Sequence, residues 1–445
     1  MSSVNLAAAV ALVVFTVNAV SHGAAFCETR SRAPNSKVTS HHVAATPLKE
    51  GRFGAMAALQ DGLEQTQGQL HAQSANSEWA LGSLCAAGLA GLWCAAARGS
   101  AAVRYQRGTR GAVSLRASFG MRIVGTGSGA PEMVVSNDDL SEIVETSDEW
   151  ISQRTGIRSR HILKPDETLA SVSVTAAQKA LDNAGVSADE VDLVILATST
   201  PDDLFGSATA VAEGVGAQNA VAFDLTAACS GFVFALVTAS QYLRSGGSKT
   251  ALVVGADCLS RWLDWSDRNT CVLFGDGAGA VVLKATEPEH DSLIGYEMGS
   301  DGKGRCSLWL SSDSEAVNLG GGKSGAIGKY GYLGMNGKDV FRFATSRVPA
   351  VLGRLLEKHK VAPEEVDWLL LHQANRRIMD SAAKKLKLPL DKVLCNLDEY
   401  GNTSAASIPL ALDEAMRDGR VKKGQLVACM GFGAGLSWGG ALIRV

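Results

Sequence analysis

Cys229 is the residue whose surroundings most favour nucleophilic chemistry. An apolar segment at 221–225 predicts a strand before it, and the wholly apolar segment at 232–237 predicts a buried helix after it. The start of a helix offers free N–H groups and partial positive charge, which acidify a thiol. We therefore expect a reactive thiol at Cys229. The other cysteines between residues 121 and 445 lack this pattern, and we expect them to be small buried apolar side chains.

His372 is the predicted partner of this thiol, because a thiol nucleophile needs a base or a hydrogen-bond donor nearby. It follows the apolar segment 368–371, which predicts a buried strand, and α/β sheets present catalytic groups at the carboxyl ends of their strands. A hydrogen-bonded core histidine is the alternative interpretation. The other histidines of this part of the chain lie in charged stretches and are expected to be solvated: His161, His290 and His359.

The elements that position these residues occur twice. The segment 186–196 recurs as 361–371, where Val-Ser-Ala-Asp-Glu-Val-Asp is matched by Val-Ala-Pro-Glu-Glu-Val-Asp before an apolar strand. Each copy is followed by an apolar helix and then by a further apolar strand, at 251–255 and 425–430. Continuous apolar strands are typical of sheets covered by helices on both faces. The sequence thus predicts a duplicated α/β fold of two βαβ halves.

The duplication adds a third residue to the site. The copies of the helix end, at 242–246 and 415–419, lie 173 positions apart, and this local offset gives Asn402 as the counterpart of Cys229, so that each residue lies where a helix begins in its own half. If the halves pack about a pseudo-twofold axis, two helix N-termini point into one shared site. We therefore expect Cys229, His372 and Asn402 to lie close together.

Two glycine-rich segments resemble nucleotide-binding loops only loosely. After residues 125–130 the chain continues with Pro131, where a phosphate loop needs a helix N-terminus. The segment 321–324 ends like a phosphate loop, but Val317 stands where the first glycine belongs. Neither segment is predicted to bind phosphate, and residues 320–337 are predicted to form a mobile surface loop.

The composition excludes several classes of protein. The chain has 445 residues, of which 46% are hydrophobic and 20% charged, with 48 glycines and 10 prolines, so it is not disordered, collagen-like or a disulfide scaffold. A net charge of -3 and a pI near 6.3 give no reason to expect nucleic acid as a partner. Its 9 cysteines form no C-x-x-C pair, so no zinc or redox motif is present.

The first 120 residues are predicted to be a targeting leader. An apolar run at 6–20 ends in small residues before Phe26, as in a signal peptide, although no basic residue precedes it. A second apolar run at 79–97 is about long enough to span a bilayer. Residues 98–120 contain arginines and no acidic residue, as in a transit segment. The alternative is a membrane-anchored protein with two true spans.

The order of these segments resembles the leaders of nucleus-encoded plastid proteins in algae with secondary plastids. It implies import into the plastid stroma and a mature enzyme without a membrane partner. The predicted domains are the leader at 1–120, an N-terminal half with the nucleophile at 121–290, and a C-terminal half with the histidine and asparagine at 291–445. Without the leader the chain has an excess of acidic side chains, so any basic docking site must be a local patch.

Five motifs closely resemble those of β-ketoacyl-acyl-carrier-protein synthase III, the condensing enzyme that initiates dissociated fatty acid synthesis. They follow the family's order and span essentially all of residues 121–445. The family has the thiolase fold, so the resemblance implies an α/β fold whose duplicated halves form layers in the order αβαβα. The motifs are TSDEWISQRTGI at 146–157, AACSGF at 227–232, FGDGAGA at 274–280, HQAN at 372–375 and GNTSAAS at 401–407.

The resemblance implies a decarboxylating Claisen condensation of acetyl-CoA with malonyl-acyl carrier protein. Cys229 would take the acetyl group, and His372 and Asn402 would stabilise the enolate left by loss of CO2. Backbone N–H groups of Cys229 and Ala434 would form the oxyanion hole. The product would be acetoacetyl-acyl carrier protein, which starts type II fatty acid synthesis. No metal or cofactor is implied, because acetyl-CoA is a substrate.

The resemblance also implies binding residues. Trp150 and Arg268 would hold the adenine of CoA, with Arg154 beside the phosphates. Phe205 matches the residue that reaches from a second subunit to close the acyl pocket, which implies a homodimer. Docking of the acyl carrier protein would involve Arg342, Gln373, Arg377, Lys384 and Lys385.

Other functions remain open from the sequence. A type III polyketide synthase also uses Cys, His and Asn but extends with malonyl-CoA, and Trp150 and the basic residues argue against it. A thiolase would have a second catalytic cysteine near Gly433, and an elongating condensing enzyme would have histidine at position 402. A non-catalytic CoA-binding protein would lack one of the three catalytic residues, and a cysteine hydrolase would have to admit water to the acyl-enzyme. Ala434 and Leu436 replace the glycine and phenylalanine of the bacterial form, so the preferred acyl chain is not predicted.

Overall fold

The structure, a computed structural model, describes residues 119–445. The predicted leader lies outside the described residues except for its last two positions. Within the described part, the helices are too short or too polar to cross a bilayer.

Fourteen strands and nine α-helices are present in residues 119–445. The strands are β1 (Gly120–Gly129), β2 (Val134–Ser136), β3 (Ser159–His161), β4 (Leu193–Ala197), β5 (Val221–Leu225), β6 (Thr250–Cys258), β7 (Asp276–Thr286), β8 (Leu293–Ser300), β9 (Leu308–Gly320), β10 (Lys323–Met335), β11 (Trp368–Leu371), β12 (Val393–Leu394), β13 (Leu426–Gly433) and β14 (Ser437–Arg444). The helices are α1 (Asn137–Ser141), α2 (Asp148–Thr155), α3 (Leu169–Ala184), α4 (Ala208–Val215), α5 (Gly231–Arg244), α6 (Gly337–His359), α7 (Arg376–Leu386), α8 (Leu397–Tyr400) and α9 (Ser407–Arg417).

Two five-stranded sheets share one topology. In the first sheet, β4 lies parallel between β5 and β6, and β7 and then β1 continue antiparallel. In the second sheet, β11 lies parallel between β12 and β13, and β14 and then β8 continue antiparallel. The duplicated α/β halves that the sequence repeat predicts are therefore confirmed.

Two helices fill the space between the sheets. α5 contacts β4 and β6 of the first sheet and β13 and β14 of the second, while α9 contacts β1, β7 and β11. α3 packs on the outer face of the first sheet with α4 beside it, and α6 packs on the outer face of the second with α7 beside it. The layers therefore follow the order αβαβα that the resemblance implied.

The core between the sheets is apolar and almost closed to solvent. Phe232 and Leu236 of α5 pack with Ile408 and Leu412 of α9 and with Leu370 of β11, and all are at most 3% exposed. Burial of one such side chain contributes about 1.5–3 kcal/mol. This packing fixes the starts of α5 and α9 relative to each other, and with them the residues that precede both helices.

Glycines allow close backbone packing at two places. The glycines of residues 125–129 lie inside β1, and a Cβ at Gly127 would come within 2.3 Å of the Ala176 carbonyl oxygen of α3. These glycines therefore allow β1 to pack closely against α3, and they do not form a phosphate loop. In β6, a Cβ at Gly255 would lie 2.3 Å from the Ala405 carbonyl oxygen. β6 thus supports the turn before α9 directly.

Residues 320–337 differ from the surface loop that we predicted. β10 covers most of this segment and pairs with β9 in a long antiparallel ribbon. The chain reverses at Gly320, Gly321 and Gly322, which all have positive φ. Frequent glycines hid the strand pattern, because a ribbon with mostly exposed side chains needs no alternation of apolar residues.

Candidate active site

Cys229 stands in a tight turn that leads from β5 into α5. Residues Ala228–Ser230 form a 3-10 turn, and Ala228 has a φ of 46°, a conformation that L-residues adopt only when the surroundings enforce it. Cys229 is 5% exposed. Beside it lies Gly433 at the end of β13, where an added Cβ would be 2.8 Å from the Cys229 nitrogen and 3.2 Å from its sulfur. Cys229 is therefore held between the two halves.

The other five cysteines of residues 119–445 lack this setting. Cys258, Cys271 and Cys429 are buried, as expected of small apolar side chains, and Cys395 is half-buried. Cys306 is exposed, so its expected burial is wrong. It lies in the 3-10 turn that precedes the ribbon.

The second half contains a matching turn before α9. Residues Ser404–Ala406 form a 3-10 turn, and Ser404 has a φ of 51°, close to that of Ala228. When Ala228 is aligned with Ser404, the residue that follows each is matched, so Cys229 pairs with Ala405. The predicted pairing of Cys229 with Asn402 is therefore wrong in register, because α5 has 14 residues and α9 only 11, so an offset taken at the helix ends is three positions short at the helix starts. Asn402 nevertheless lies just before the matching turn.

Backbone hydrogen bonds hold Asn402 against the segment that precedes β7. Its N–H donates to the Leu273 carbonyl (2.9 Å), and its carbonyl accepts from the Gly275 N–H (3.0 Å). Its side-chain oxygen accepts from the Ser404 N–H (3.0 Å). That bond orients the amide, so its NH2 end is the end left to donate to a ligand.

His372 follows β11 directly and lies buried beside Phe432. Its backbone N–H donates to the Met430 carbonyl (2.9 Å), and its ring meets the Phe432 ring edge-on with centroids 5.2 Å apart. Burial lowers the pKa of His372 to about 3, so the imidazole is neutral at physiological pH. A neutral ring carries one hydrogen, on Nδ1 or on Nε2.

The Ser407 hydroxyl controls where that hydrogen lies. Ser407 Oγ is 2.7 Å from His372 Nδ1, and its single hydrogen can be donated either to that nitrogen or to the Ser404 carbonyl oxygen (2.8 Å). It also accepts a bond from the Gln373 N–H (3.3 Å). When the hydroxyl donates to Nδ1, the imidazole hydrogen is on Nε2 and is free to be donated to a ligand.

Cys229 lines two cavities. The larger, of about 400 Å³, is mostly apolar and has Ala434 in its wall. The smaller, of about 140 Å³, is lined by His372 and Asn402 together with Phe341 of α6. The structure therefore brings the three predicted catalytic residues into one cavity and places Ala434 beside Cys229 in the other.

The pKa of the Cys229 thiol is shifted in the direction opposite to our expectation. Removal from water is the main reason that this pKa rises to about 12, a hydrogen bond from Ser404 Oγ (3.3 Å) opposes the rise, and the Asp257 carboxylate adds to it. The predicted acidification is thus wrong for the free enzyme, because desolvation outweighs the N–H groups of the turn.

Sequence reasoning missed three polar residues of this site. Ser404 and Ser407 lie in the same motif as Asn402, but no feature of the sequence separates them from other serines. Asp257 is an acidic residue in β6, a strand whose 9 residues are all buried. A carboxylate inside a long apolar strand is costly unless it is hydrogen-bonded, and this was the signal that could have found it.

Trp150, Arg154 and Arg268 come together at the surface. Ser147 caps α2 by accepting a hydrogen bond from the Trp150 N–H (3.1 Å), which places Trp150 in the first turn and Arg154 in the last. The guanidinium carbons of Arg154 and Arg268 lie 4.5 and 5.2 Å from the centre of the Trp150 ring. The cluster offers an aromatic face and two cations to a ligand.

Four of the predicted docking residues form an exposed basic patch on α6 and α7, namely Arg342, Arg377, Lys384 and Lys385. The guanidinium of Arg377 lies over the ring of Phe341, 5.5 Å from its centroid. Phe341 also lines the smaller cavity. The basic patch therefore borders the cavity that contains His372 and Asn402.

Gln373 does not belong to the basic patch, and its predicted role in docking is wrong. The residue is 1% exposed. Its amide nitrogen donates to the carbonyls of Leu371 (2.6 Å) and Leu394 (3.3 Å), and its oxygen accepts from the Asn396 N–H (3.3 Å). The side chain turns inward and links the ends of β11 and β12, so it cannot meet a protein surface.

Phe205 lies in an exposed apolar segment near the larger cavity. Phe205 is 98% exposed and Leu204 is 81% exposed, although Leu204 also lines that cavity. β5 is an edge strand of the first sheet, and its first residue, Val221, is 63% exposed. Exposed apolar groups next to an unpaired strand are suited to contact with another protein chain.

Both halves match one protein family. Residues 223–302 match the family described as 3-oxoacyl-[acyl-carrier-protein] synthase III, and residues 356–445 match its C-terminal region. The β-ketoacyl-[acyl-carrier-protein] synthase III of Synechococcus sp. strain RCC307 is 56% identical over 326 residues, which cover 73% of this chain and 98% of that protein. The enzyme of the same name from Prochlorococcus marinus strain MIT 9313 is 57% identical, with 73% and 96% covered.

Solved structures resemble the fold as well. The 3-oxoacyl-[acyl-carrier-protein] synthase III of Aquifex aeolicus VF5 superposes with a TM-score of 0.67 and 44% identity, covering 73% of this chain and 100% of that one. The priming β-ketosynthase of the R1128 polyketide pathway gives a TM-score of 0.67 and 37% identity, with 73% and 96% covered.

Proposed function

The chain belongs to the 3-oxoacyl-[acyl-carrier-protein] synthase III family, and from this we propose that it condenses acetyl-CoA with malonyl-acyl carrier protein to acetoacetyl-acyl carrier protein, CoA and CO2. It is an acyltransferase-type condensing enzyme that initiates fatty acid synthesis. One observation carries the proposal for this chain: Cys229 lies where two cavities meet, and the second cavity contains His372 and Asn402.

In the first half-reaction, the Cys229 sulfur attacks the acetyl thioester and CoA leaves. The acetyl group then extends into the larger, apolar cavity. The oxyanion of the tetrahedral intermediate is held by the N–H groups of Cys229 and Ala434, and one such donor typically lowers the barrier by about 3–4 kcal/mol. Covalent catalysis divides one difficult transfer into two easier ones.

In the second half-reaction, the malonyl thioester enters the smaller cavity. Its oxygen accepts hydrogen bonds from His372 Nε2 and Asn402 Nδ2, which strengthen as loss of CO2 places negative charge on that oxygen. Because the imidazole is neutral, it acts as a hydrogen-bond donor and not as a proton source for the enolate. The carbanion attacks the acetyl group on Cys229. Release of CO2 drives the condensation, so we expect no metal or cofactor to be needed.

The cluster of Trp150, Arg154 and Arg268 is the proposed CoA site. The Trp150 indole and the planar Arg268 guanidinium can stack on the two faces of an adenine, and Arg154 can hold phosphate oxygens through paired hydrogen bonds. This proposal is supported by the distances between the two guanidinium groups and the ring.

The basic patch on α6 and α7 is the proposed docking surface for the acyl carrier protein. An acidic partner would be attracted by its positive charge, although the protein as a whole is acidic. Docking there would bring the phosphopantetheine arm to the smaller cavity, because Phe341 belongs to the cavity wall and also contacts Arg377.

We also propose a homodimer and a plastid location. Pairing of β5 with its copy in a second chain would cover Val221 and the apolar segment at Phe205, whose side chain could then reach the partner's larger cavity. The location rests on the composition of residues 1–120 alone. The family implies the homodimer, and the exposed apolar groups of this chain support it. The sequence of the leader supports the plastid location.

Replacement of Asn402 separates the two half-reactions. Asn402→Ala should still transfer labelled acetyl from CoA to Cys229, whereas condensation with malonyl-acyl carrier protein should fall by about 10²–10³-fold, since one donor to the enolate oxygen is lost. Mass spectrometry of the acetyl-enzyme and release of labelled CO2 are the measurements. Asn318→Ala, in the exposed ribbon, is the control. Normal CO2 release by Asn402→Ala, or efficient use of malonyl-CoA in place of the carrier, would contradict the proposal.

Charge reversal in the basic patch tests docking. Arg377→Glu should raise the KM for malonyl-acyl carrier protein by about tenfold and leave acetyl transfer from CoA unchanged, because only the carrier contacts the patch. Steady-state kinetics with each substrate give the comparison. Lys249→Glu, at an exposed position just before β6, is the matched control. Equal loss with both substrates would show that Arg377 does not serve docking.

Sedimentation of a protein that comprises residues 119–445 tests the oligomeric state. We expect twice the mass of one chain at micromolar concentration, and Phe205→Asp should shift the equilibrium towards single chains because it places a charge in an apolar contact. Lys249→Glu should sediment like the unchanged protein. A single-chain mass for the unchanged protein would rule the dimer out.

A fluorescent protein fused behind residues 1–120 tests the leader. In an alga with a secondary plastid, we expect the label inside the plastid. Uniform label at the plasma membrane would instead support the membrane-anchored alternative.

A further inference from the structure

Arg160 is an arginine without any exposed surface. It lies in the middle of β3 and is 0% exposed. Burial lowers its pKa to about 10, so the guanidinium is still charged at physiological pH. Among residues 119–445, its three hydrogen-bond acceptors are all neutral oxygens. A buried cation without a carboxylate partner is costly, so its presence needs a reason beyond the filling of space.

The guanidinium joins β2 and α1 to the segment before β7. Nη2 donates to the Val272 carbonyl (2.8 Å) and to Asn137 Oδ1 (2.9 Å), and Nη1 donates to the Val135 carbonyl (3.1 Å). Asn137 in turn donates from Nδ2 to Asp148 Oδ1 (2.8 Å) at the start of α2. The planar fork of an arginine can meet several acceptors at fixed angles, which a lysine ammonium cannot do.

The clamp segment, residues 272–275, holds Asn402 by two backbone hydrogen bonds. The Asn402 N–H donates to the Leu273 carbonyl, and the Asn402 carbonyl accepts from the Gly275 N–H. Arg160 binds the first carbonyl of this segment, one residue before Leu273. Because the two backbone bonds place Asn402, a shift of the clamp segment would displace the side-chain amide of Asn402 as well.

Two glycines bring the stem of Arg160 against the same structure. A Cβ added at Gly275 would lie 3.0 Å from the Arg160 Cβ, and one added at Gly401 would lie 3.4 Å from it. Gly275 donates one of the two bonds to Asn402, and Gly401 precedes Asn402 with a φ of 64°. Arg160 therefore packs against the neighbours of Asn402 and also binds the clamp segment.

We propose that Arg160 is a positioning residue for the second half-reaction, which holds the clamp segment in place so that the Asn402 amide can donate to the malonyl thioester oxygen. The proposal rests on the proposed condensation. The guanidinium binds Val272, Val135 and Asn137, none of which lines either cavity. Arg160 thus acts through Asn402, and formation of the acetyl-enzyme does not need it.

Replacement of Arg160 by methionine or lysine tests this role. Arg160→Met removes every donor, and condensation by pre-acetylated enzyme at saturating malonyl-acyl carrier protein should fall about 10²-fold, because a small displacement of a positioned group is costly. Arg160→Lys keeps the charge but not the fork, and its rate should fall about tenfold. Both variants should still form the acetyl-enzyme fully at saturating acetyl-CoA. Single-turnover release of labelled CO2 is the measurement.

Arg244 provides a matched control. It is another poorly exposed arginine, and its Nη2 donates to the Leu293 carbonyl (2.8 Å) and pairs with Asp291. It lies in the last turn of α5, whereas Cys229 precedes the first. Arg244→Met should lower the urea midpoint of unfolding without slowing the release of CO2, because Arg244 does not contact the clamp segment.

A double variant separates positioning from a general loss of structure. If Arg160 acts through Asn402, Arg160→Met should slow condensation less than twofold further in the Asn402→Ala enzyme, because the group that it positions is already gone. A merely structural role would instead multiply the two losses. The carrier concentration that gives half the maximal rate should stay the same in Arg160→Met, since the basic patch on α6 and α7 is unchanged.

Arg160→Lys carries the same comparisons if the methionine variant does not fold. Free guanidinium is a further probe, added at low millimolar concentration to Arg160→Ala, which keeps the Cβ that meets Gly275 and Gly401. It should raise the rate of CO2 release several-fold, whereas methylammonium, which lacks the fork, should not.

Normal condensation by either folded variant of Arg160 would overturn the proposal. Losses that multiply fully with Asn402→Ala would also overturn it. Failure of the proposed function is distinct, because the unchanged protein would then release no CO2 from malonyl-acyl carrier protein.

Discussion

The contact between the two turns that begin α5 and α9 is the constraint on which the site depends. Each half of the chain provides one of these turns, and each turn contains a left-handed residue, Ala228 or Ser404. The turns meet where Ser404 Oγ approaches the Cys229 sulfur. Because the helices behind them share one apolar core, Cys229 from one half is fixed relative to the polar groups from the other.

The same burial that orders the site changes the chemistry of each group in it. It makes His372 a neutral donor and makes Cys229 a weak acid. The first effect suits stabilisation of an enolate, because a neutral donor needs no accompanying anion. The second effect would hinder acyl transfer if the thiol had to ionise against solvent.

The sequence predicted the features that arise from local patterns. Apolar runs identified β4, β5, β11 and the central helices, and the repeat identified the duplicated sheets. The predictions failed where the outcome depends on how segments distant in sequence align in three dimensions. An offset along the chain could not show that Ala405, rather than Asn402, is the counterpart of Cys229. A motif position could not show that Gln373 turns inward to bridge two strands. Ser404 and Asp257 are ordinary in sequence and become neighbours only because β6 and the turn before α9 touch backbone to backbone.

The two cavities that meet at Cys229 are built from different parts of the fold. His372 and Asn402 are attached to the ends of the second sheet and to the segment before β7, inside the layered core. The wall of the larger cavity includes Trp309, Leu310 and Tyr330 of the β9–β10 ribbon, whose side chains are largely exposed elsewhere. The ribbon buries little apolar surface, so substitutions there alter the cavity at a small cost in stability. Substitutions in the core cost more stability. The core thus holds His372 and Asn402 in place, while the ribbon contributes part of the wall of the larger cavity.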